Sequence, residues 1–394
     1  FGEFHPKKLK EPTDLEKTAK IDRSNSNAPF SRFVGNDQAV KKLQTAAFIA
    51  LGNPKHLMRE LAFAIFGPAS AGKTTLAKLY AETVSLPFVE ISPRGVKTVD
   101  DIFKAIENVL NKHGLPLVQQ RDGSYELPPT VIFIDEVHAL PDAIVQGLLK
   151  ATEFSDGRMQ TEKGKDLNCF AATWIIATTD EGRLFDAFRS RFSPVHLRYL
   201  TKAEVSEVVR RNNPELSSEV CNLVAHYNPR ITRKALEFAR YMQMVKKMHH
   251  QMSWQMVTKQ VAQDEGINDY GLNQFEVRVL TALMNGPVAK KNICHLVGRK
   301  EEELERYIIP ALLAETADQP AYVTVCSRGY CLTEEGRKLL IEMNLLKESD
   351  EIVNDKRTIS RIVRALGNSK EGQLFKQLIL SRMPELDDEG EDDE

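Results

Sequence analysis

A chain of 394 residues is too long for one ordinary compact domain and divides into two or three, with 42% hydrophobic content to build their cores. The formal net charge of −2 argues against a protein that coats nucleic acid through bulk positive charge. Five scattered cysteines (Cys169, Cys221, Cys294, Cys326, Cys331) form no C-x-x-C pair, and no apolar run reaches membrane-spanning length; a soluble chain from a reducing, intracellular compartment is expected.

Residues 1–31 lack sustained apolar periodicity and read as a flexible arm; because the chain starts at Phe1 rather than Met, residues are expected upstream. Residues 32–200 alternate helices with short apolar strands. A helix spans Asp37 to Ala50, and a strand from Leu61 to Phe66 runs into a glycine-rich turn and a helix from Lys73 to Ser85. A strand at Leu86 to Ile91 and a Thr98-capped helix ending near Asn111 follow. Further strands are expected at Thr130 to Ile134, Trp174 to Thr178 and Val195 to Tyr199, with a helix from Ala143 to Phe154. This order implies an α/β fold with a parallel sheet covered on both faces. Leu115 to Pro129 reads as an extra loop.

Thr201-x-x-Glu204 is a capping box that opens a small helical domain over residues 201–265. Residues 266–345 show three short helices and two strands flanking Ser327-Arg328-Gly329, the outline of a winged helix. Residues 346–394 read as helical and then as a disordered acidic tail, nearly all Asp and Glu from Glu385.

Gly67, Pro68, Ala69, Ser70, Ala71, Gly72, Lys73 and Thr74, followed by Thr75, fit the phosphate-loop pattern G-x-x-x-x-G-K-[ST] between a strand and a helix. In that context backbone N–H groups curl round a β-phosphate at the positive end of the helix. Lys73 supplies a point charge to the β- and γ-phosphates of ATP, and the Thr74 hydroxyl ligates Mg²⁺. Val131 to Glu136 completes the pair: an apolar strand carries Asp135 and Glu136 to the carboxyl edge of the sheet, beside the phosphate loop. Asp135 can hold the magnesium shell, and Glu136 can orient and deprotonate the attacking water.

The order of these motifs resembles the AAA+ superfamily of P-loop NTPases. Ile134-Asp135-Glu136-Val137-His138-Ala139-Leu140, Ile176 to Thr179, Phe188 to Phe192 and Asn228-Pro229-Arg230-Ile231 are similar to the bacterial Holliday-junction branch-migration motor family RuvB. So are Glu305 to Leu313, Ser327 to Gly329 and Thr333. The resemblance implies a nucleotide domain, a helical lid and a winged helix in that order. It implies that Thr179, or Thr178, positions the hydrolytic water as sensor 1; a plain strand-end threonine is the alternative. Arg191, with Arg189 close by, would act as an arginine finger in a neighbouring subunit's site, or else form a surface ion pair. Arg230, with Arg233 as the fallback, would touch the γ-phosphate from the lid. Phe33 and Val34, before Gly35, resemble the segment that packs on adenine; a plain hydrophobic cluster is the alternative. The working unit implied is an oligomer, a hexameric ring.

For the substrate, the resemblance implies double-stranded or branched DNA. Arg328 and Gly329 sit at the wing tip, where arginine can touch phosphates or enter a minor groove. Glu301, Glu302 and Glu303 begin the third helix of the winged helix and would repel the backbone, so contact through the wing without base reading is expected. Family members carry a hairpin with an apolar tip that docks the junction-binding partner RuvA. The matching stretch here, Ser155 to Asp166, is polar, and a charged tip buries little apolar surface. With the Leu115 to Pro129 loop and the acidic tail, this points to a divergent cytoplasmic relative from a bacterial, phage or mobile-element setting, with a junction-binding or loader protein still a possible partner. Two other classes remain open: a clamp-loader-like or transposition-type switch that assembles on DNA without translocating, and a protein-remodelling AAA+ subunit.

Overall fold

The computed structural model describes residues 29–52, 62–153, 157–228 and 231–346. The expectations for residues 1–28 and for the acidic tail lie outside them, as does Arg230. Two compact units divide the chain: the first runs to Asn273 and includes Ala314–Gln319, and the second holds Gln274–Leu313 and continues from Pro320.

In the first unit the helix Asp37–Gly52 (α1) precedes the strand Phe63–Phe66 (β1) and the helix Lys73–Thr83 (α2). Phe88–Ile91 (β2) and Val99–Lys112 (α3) follow. Asp101 caps α3 by accepting the Thr98 backbone N–H and hydroxyl, each at 3.0 Å. After two short strands, Val118–Gln119 (β3) and Tyr125–Glu126 (β4), come Thr130–Ile134 (β5) and Asp142–Ala151 (α4). Then come Arg158–Gln160 (β6), Asp166–Asn168 (β7), Ala172–Thr178 (β8), Asp186–Arg189 (α5) and Ser193–His196 (β9).

The main sheet is parallel, in the order β2-β5-β8-β1-β9. Every residue of β1, β5 and β8 is buried, because helices cover both faces and alternation has no polar side to serve. Ala64, Phe66, Ile132, Ile134, Trp174 and Ile176 meet α3 and α4 on one face. Phe63, Ile65, Val131, Phe133, Ile175 and Ala177 meet α1 and α2 on the other. Each large apolar side chain so buried contributes about 1.5–3 kcal/mol. Phe30, expected in the arm, is buried in this second core on a 3₁₀ turn, Phe30–Arg32.

One expectation is corrected. Leu115 to Pro129 is not a plain loop: β3 and β4 form a hairpin, and β4 pairs in parallel with β7 of the next hairpin, giving a second sheet ordered β3-β4-β7-β6. Two-residue strands are too short to show alternation, and their partner lies some forty residues on, so no local pattern announces them. The hairpin formed by β6 and β7 buries Met159 and Leu167 while its turn carries polar residues.

Four helices complete the first unit: Lys202–Asn212 (α6), Ser218–Tyr227 (α7), Thr232–Met248 (α8) and Trp254–Asp264 (α9). They share a core that includes Val205, Val224, Phe238, Met242 and Val261. The capping box at α6 is present: the Thr201 hydroxyl accepts the Glu204 N–H at 3.2 Å, and Glu204 accepts the Thr201 N–H at 2.8 Å. Arg198 adds two bonds of 2.7 Å to the same carboxylate, tying the sheet's last crossover to the start of α6.

The second unit opens with the helices Gln274–Ala282 (α10), Lys290–Val297 (α11) and one (α12) that begins at Glu301–Glu303, passes through a π-turn at Leu304–Ile308 and ends with Ile309–Leu313. The antiparallel strands Val323–Cys326 (β10) and Gly329–Leu332 (β11) follow, then a helix the sequence did not signal, Glu334–Glu342 (α13). Thr333 caps that helix through a 3.0 Å bond from the Gly336 N–H.

Candidate functional site

Strand register brings the motifs together. Phe66 pairs with Thr178, and Ile134 pairs with Ile176. The residues leaving β1, β5 and β8 (Gly67, Asp135 with Glu136, and Thr179) therefore emerge on one edge of the sheet, where α/β folds bind ligands.

The phosphate loop is held in shape by its neighbours. The Gly67 N–H donates to the Thr178 carbonyl at 3.3 Å. Gly72 sits at φ +94°, and a Cβ there would stand 2.9 Å from the Phe33 ring, so a glycine is required on both conformational and steric grounds. Phe33 thus packs against the phosphate loop itself. Ser70 also occupies the left-handed region, and its carbonyl accepts the Thr232 hydroxyl of α8 at 3.2 Å. Pro68, Ala69 and Thr74 are partly exposed, Ala71 and Lys73 are buried, and Thr75 is exposed.

Lys73 Nζ donates to the carbonyls of Gly67 at 2.9 Å and Pro68 at 3.1 Å, and lies 3.9 Å from Glu136 Oε1. Burial lowers its pKa, and the charges of Glu136 and Asp135 partly offset that. Asp135 is shifted the other way: burial raises it, the Glu136 charge adds to the rise, and Lys73 opposes it. Thr74 Oγ1 donates to Asp135 Oδ2 at 3.3 Å, and the Glu136 N–H donates to Asp135 Oδ1 at 3.0 Å. Paired hard oxygen donors suit a divalent cation such as Mg²⁺.

Glu136 lies at φ +48°, a strained setting for a non-glycine residue. Its Oε2 accepts both the Thr179 N–H and the Thr179 hydroxyl at 3.0 Å. Of the two sensor candidates, then, Thr179 touches Glu136. Thr178 is buried and faces His138 instead, with 2.7 Å between Oγ1 and Nδ1. His138 Nδ1 also lies 3.4 Å from Glu136 Oε2. His138 stands within the Ile134 to Leu140 motif, and its position three residues after Asp135 is the signal that the sequence offers for it.

Other candidates stand apart. Arg189 pairs with Glu181 at 3.5 Å and Asp186 at 3.2 Å, and Arg191 donates to the Ala187 carbonyl of its own segment. Among the described residues neither arginine bonds to Lys73, Asp135 or Glu136. Arg233 is exposed at the start of α8, and Val34 is partly exposed beside Phe33. Arg328 is exposed in the turn between β10 and β11. Gly329 has a packing reason: a Cβ there would stand 2.3 Å from the Val288 carbonyl, where Val288 and Tyr330 exchange backbone bonds.

A phosphate loop, a buried lysine and a strand-end Asp-Glu pair engaged by a threonine of the next strand define an ATP-hydrolysing P-loop enzyme. Residues 63–198 match the model of the ATPase family associated with various cellular activities (AAA). The chain is 25% identical over 326 residues to the Holliday junction branch migration complex subunit RuvB of Mycoplasma pneumoniae, covering 79% of this chain and 96% of that protein. It is 27% identical over 312 residues to the RuvB of Chloroflexus aggregans, with 74% and 82% covered. The solved Thermotoga maritima RuvB Holliday junction branch migration motor superposes with a TM-score of 0.61 at 22% identity, over 78% of this chain and 95% of that one. Over residues 63–198 the chain is thus similar to the AAA ATPases, and over most of its length it is similar to RuvB. No helix among the described residues is long and apolar enough to cross a membrane.

Proposed function

We propose that the chain is an ATP-driven DNA motor of the RuvB kind, acting in the cytoplasm as an oligomeric ring on double-stranded or branched DNA. The observation that carries this reading is the reach of the similarity: it takes in 96% of the Mycoplasma pneumoniae relative, well beyond the ATPase core.

The chemistry follows from the site. Lys73, already close to the loop carbonyls, neutralises the β- and γ-phosphates, as the helix N-terminus of α2 does. Glu136 takes the proton of the attacking water, and Thr179 sets the carboxylate's angle. Thr74 and Asp135 would hold Mg²⁺, which neutralises phosphate charge when bound. Arg191, with Arg189 beside it, would complete the site of a neighbouring subunit. The Thr232 contact with Ser70 supports a lid whose angle follows the nucleotide; Arg233 is the next residue, and Arg230 lies outside the described residues. Arg328 in the exposed wing turn is the candidate DNA contact.

The test is ATP turnover without DNA, with duplex and with a four-way junction, alongside strand displacement and a Lys73→Ala control. Stimulation by DNA with displacement supports the motor. No stimulation by any DNA removes it, and stimulation without displacement leaves an assembly switch.

A further inference from the structure

His138 is the unassigned side chain that joins the two strand ends of the site. Thr178 Oγ1 has a single proton, which it donates to the Asp180 carbonyl at 3.2 Å, and it accepts the Asp180 N–H at 3.0 Å. Its remaining lone pair faces His138 Nδ1 at 2.7 Å and accepts from it when that nitrogen carries the proton. Glu136 Oε2, 3.4 Å from the same nitrogen, favours that tautomer, since a carboxylate oxygen only accepts.

We propose that His138 is a positioning residue for hydrolysis, and this rests on the reading of Glu136 as the base. The Nδ1 atom bonds Thr178 and stands 3.4 Å from Glu136 Oε2, so it adds a polar contact to the two hydrogen bonds that Oε2 accepts from Thr179. Oε2 is thereby occupied, and Oε1, the atom facing Lys73 at 3.9 Å, is the one left to meet water. The imidazole, on the turn after β5, ties the Glu136 carboxylate to Thr178 at the end of β8. The ring also borders a small cavity lined by apolar residues such as Leu140 and Phe185 together with Asp142 and Arg183.

The experiment compares His138→Phe, His138→Asn and His138→Gln with the full chain, using ATP as the probe and Glu136→Gln as the reference. His138→Phe keeps the packing and loses the donor; kcat is expected to fall roughly tenfold to a hundredfold, with KM for ATP within about twofold, the size of effect that small misplacements of a reacting group produce. Asn sets an amide N–H near the Nδ1 position and should recover most of kcat, whereas Gln sets it near Nε2 and should not. Wild-type turnover in His138→Phe, or equal turnover in the Asn and Gln variants, overturns the proposal. A rise in KM that matches the fall in kcat also overturns it, since that marks a binding or structural role. If His138→Phe does not fold, the Asn and Gln pair decides alone. Full activity in Glu136→Gln would instead remove the reading of Glu136 as base, an outcome separate from any result at His138.

Discussion

The nucleotide edge of the main sheet and the wing of the second unit are both built from strand ends, yet they are finished differently. At the nucleotide edge Lys73, Thr74, Asp135, Glu136, His138, Thr178 and Thr179 each bond to another member of the group or to the phosphate loop. At the wing, Arg328 is exposed, and the tight approach belongs to the backbone of Gly329 against Val288. Chemistry on a phosphoryl group needs donors and charges fixed before the substrate arrives, because reorganising them raises the barrier. Attraction of a cation to a phosphate backbone needs only position and charge. The two arginines near α5 fall between these cases, being tied to their own segment.

That contrast can be broken from either side. The largest expected effect is at the nucleotide edge: Glu136→Gln should lower turnover by about 10²- to 10⁴-fold while leaving ATP binding intact, measured by steady-state hydrolysis beside a fluorescent-nucleotide titration. Arg191→Ala should come next, with a loss on the order of 10³-fold in the assembled oligomer. Mixing it with Glu136→Gln should restore part of the activity, because each protein supplies what the other lacks; full activity of Arg191→Ala in the oligomer would falsify the trans role. Gly72→Ala adds a Cβ against Phe33 in a left-handed position and should weaken nucleotide binding roughly tenfold. Unchanged affinity would mean that the loop is freer than its contacts imply.

Smaller effects test the loosely held side. Arg328→Ala should weaken duplex binding without regard to sequence and reduce the slope of log K against log salt by about 1, with no change in melting temperature. An unaltered salt slope would take the wing arginine off the DNA. The smallest is expected at Arg198→Ala: its two-bonded pair with Glu204 is half exposed, so stability should fall by no more than about 1 kcal/mol in thermal or urea unfolding.

Legibility followed the same divide. The phosphate loop, Asp135-Glu136 and the strand at Thr130 to Ile134 were readable because each is a contiguous run whose chemistry demands its order. The Thr201 capping box was readable for the same reason. The β3–β4 hairpin was not, since its strands are two residues long and its partner, β7, is remote in sequence. The helix Glu334–Glu342 followed too closely on the wing to stand out as a separate element. Gly329 was readable as the residue that permits a tight turn, whereas its close approach to Val288 was not.

The amino-acid sequence by itself determined the class of chemistry, because a loop that wraps a phosphate and a strand that presents two carboxylates are local objects written in consecutive residues. Only the tertiary structure decided which threonine meets Glu136 and which meets His138. Those contacts depend on the register between β5 and β8, held by hydrogen bonds linking residues some forty positions apart.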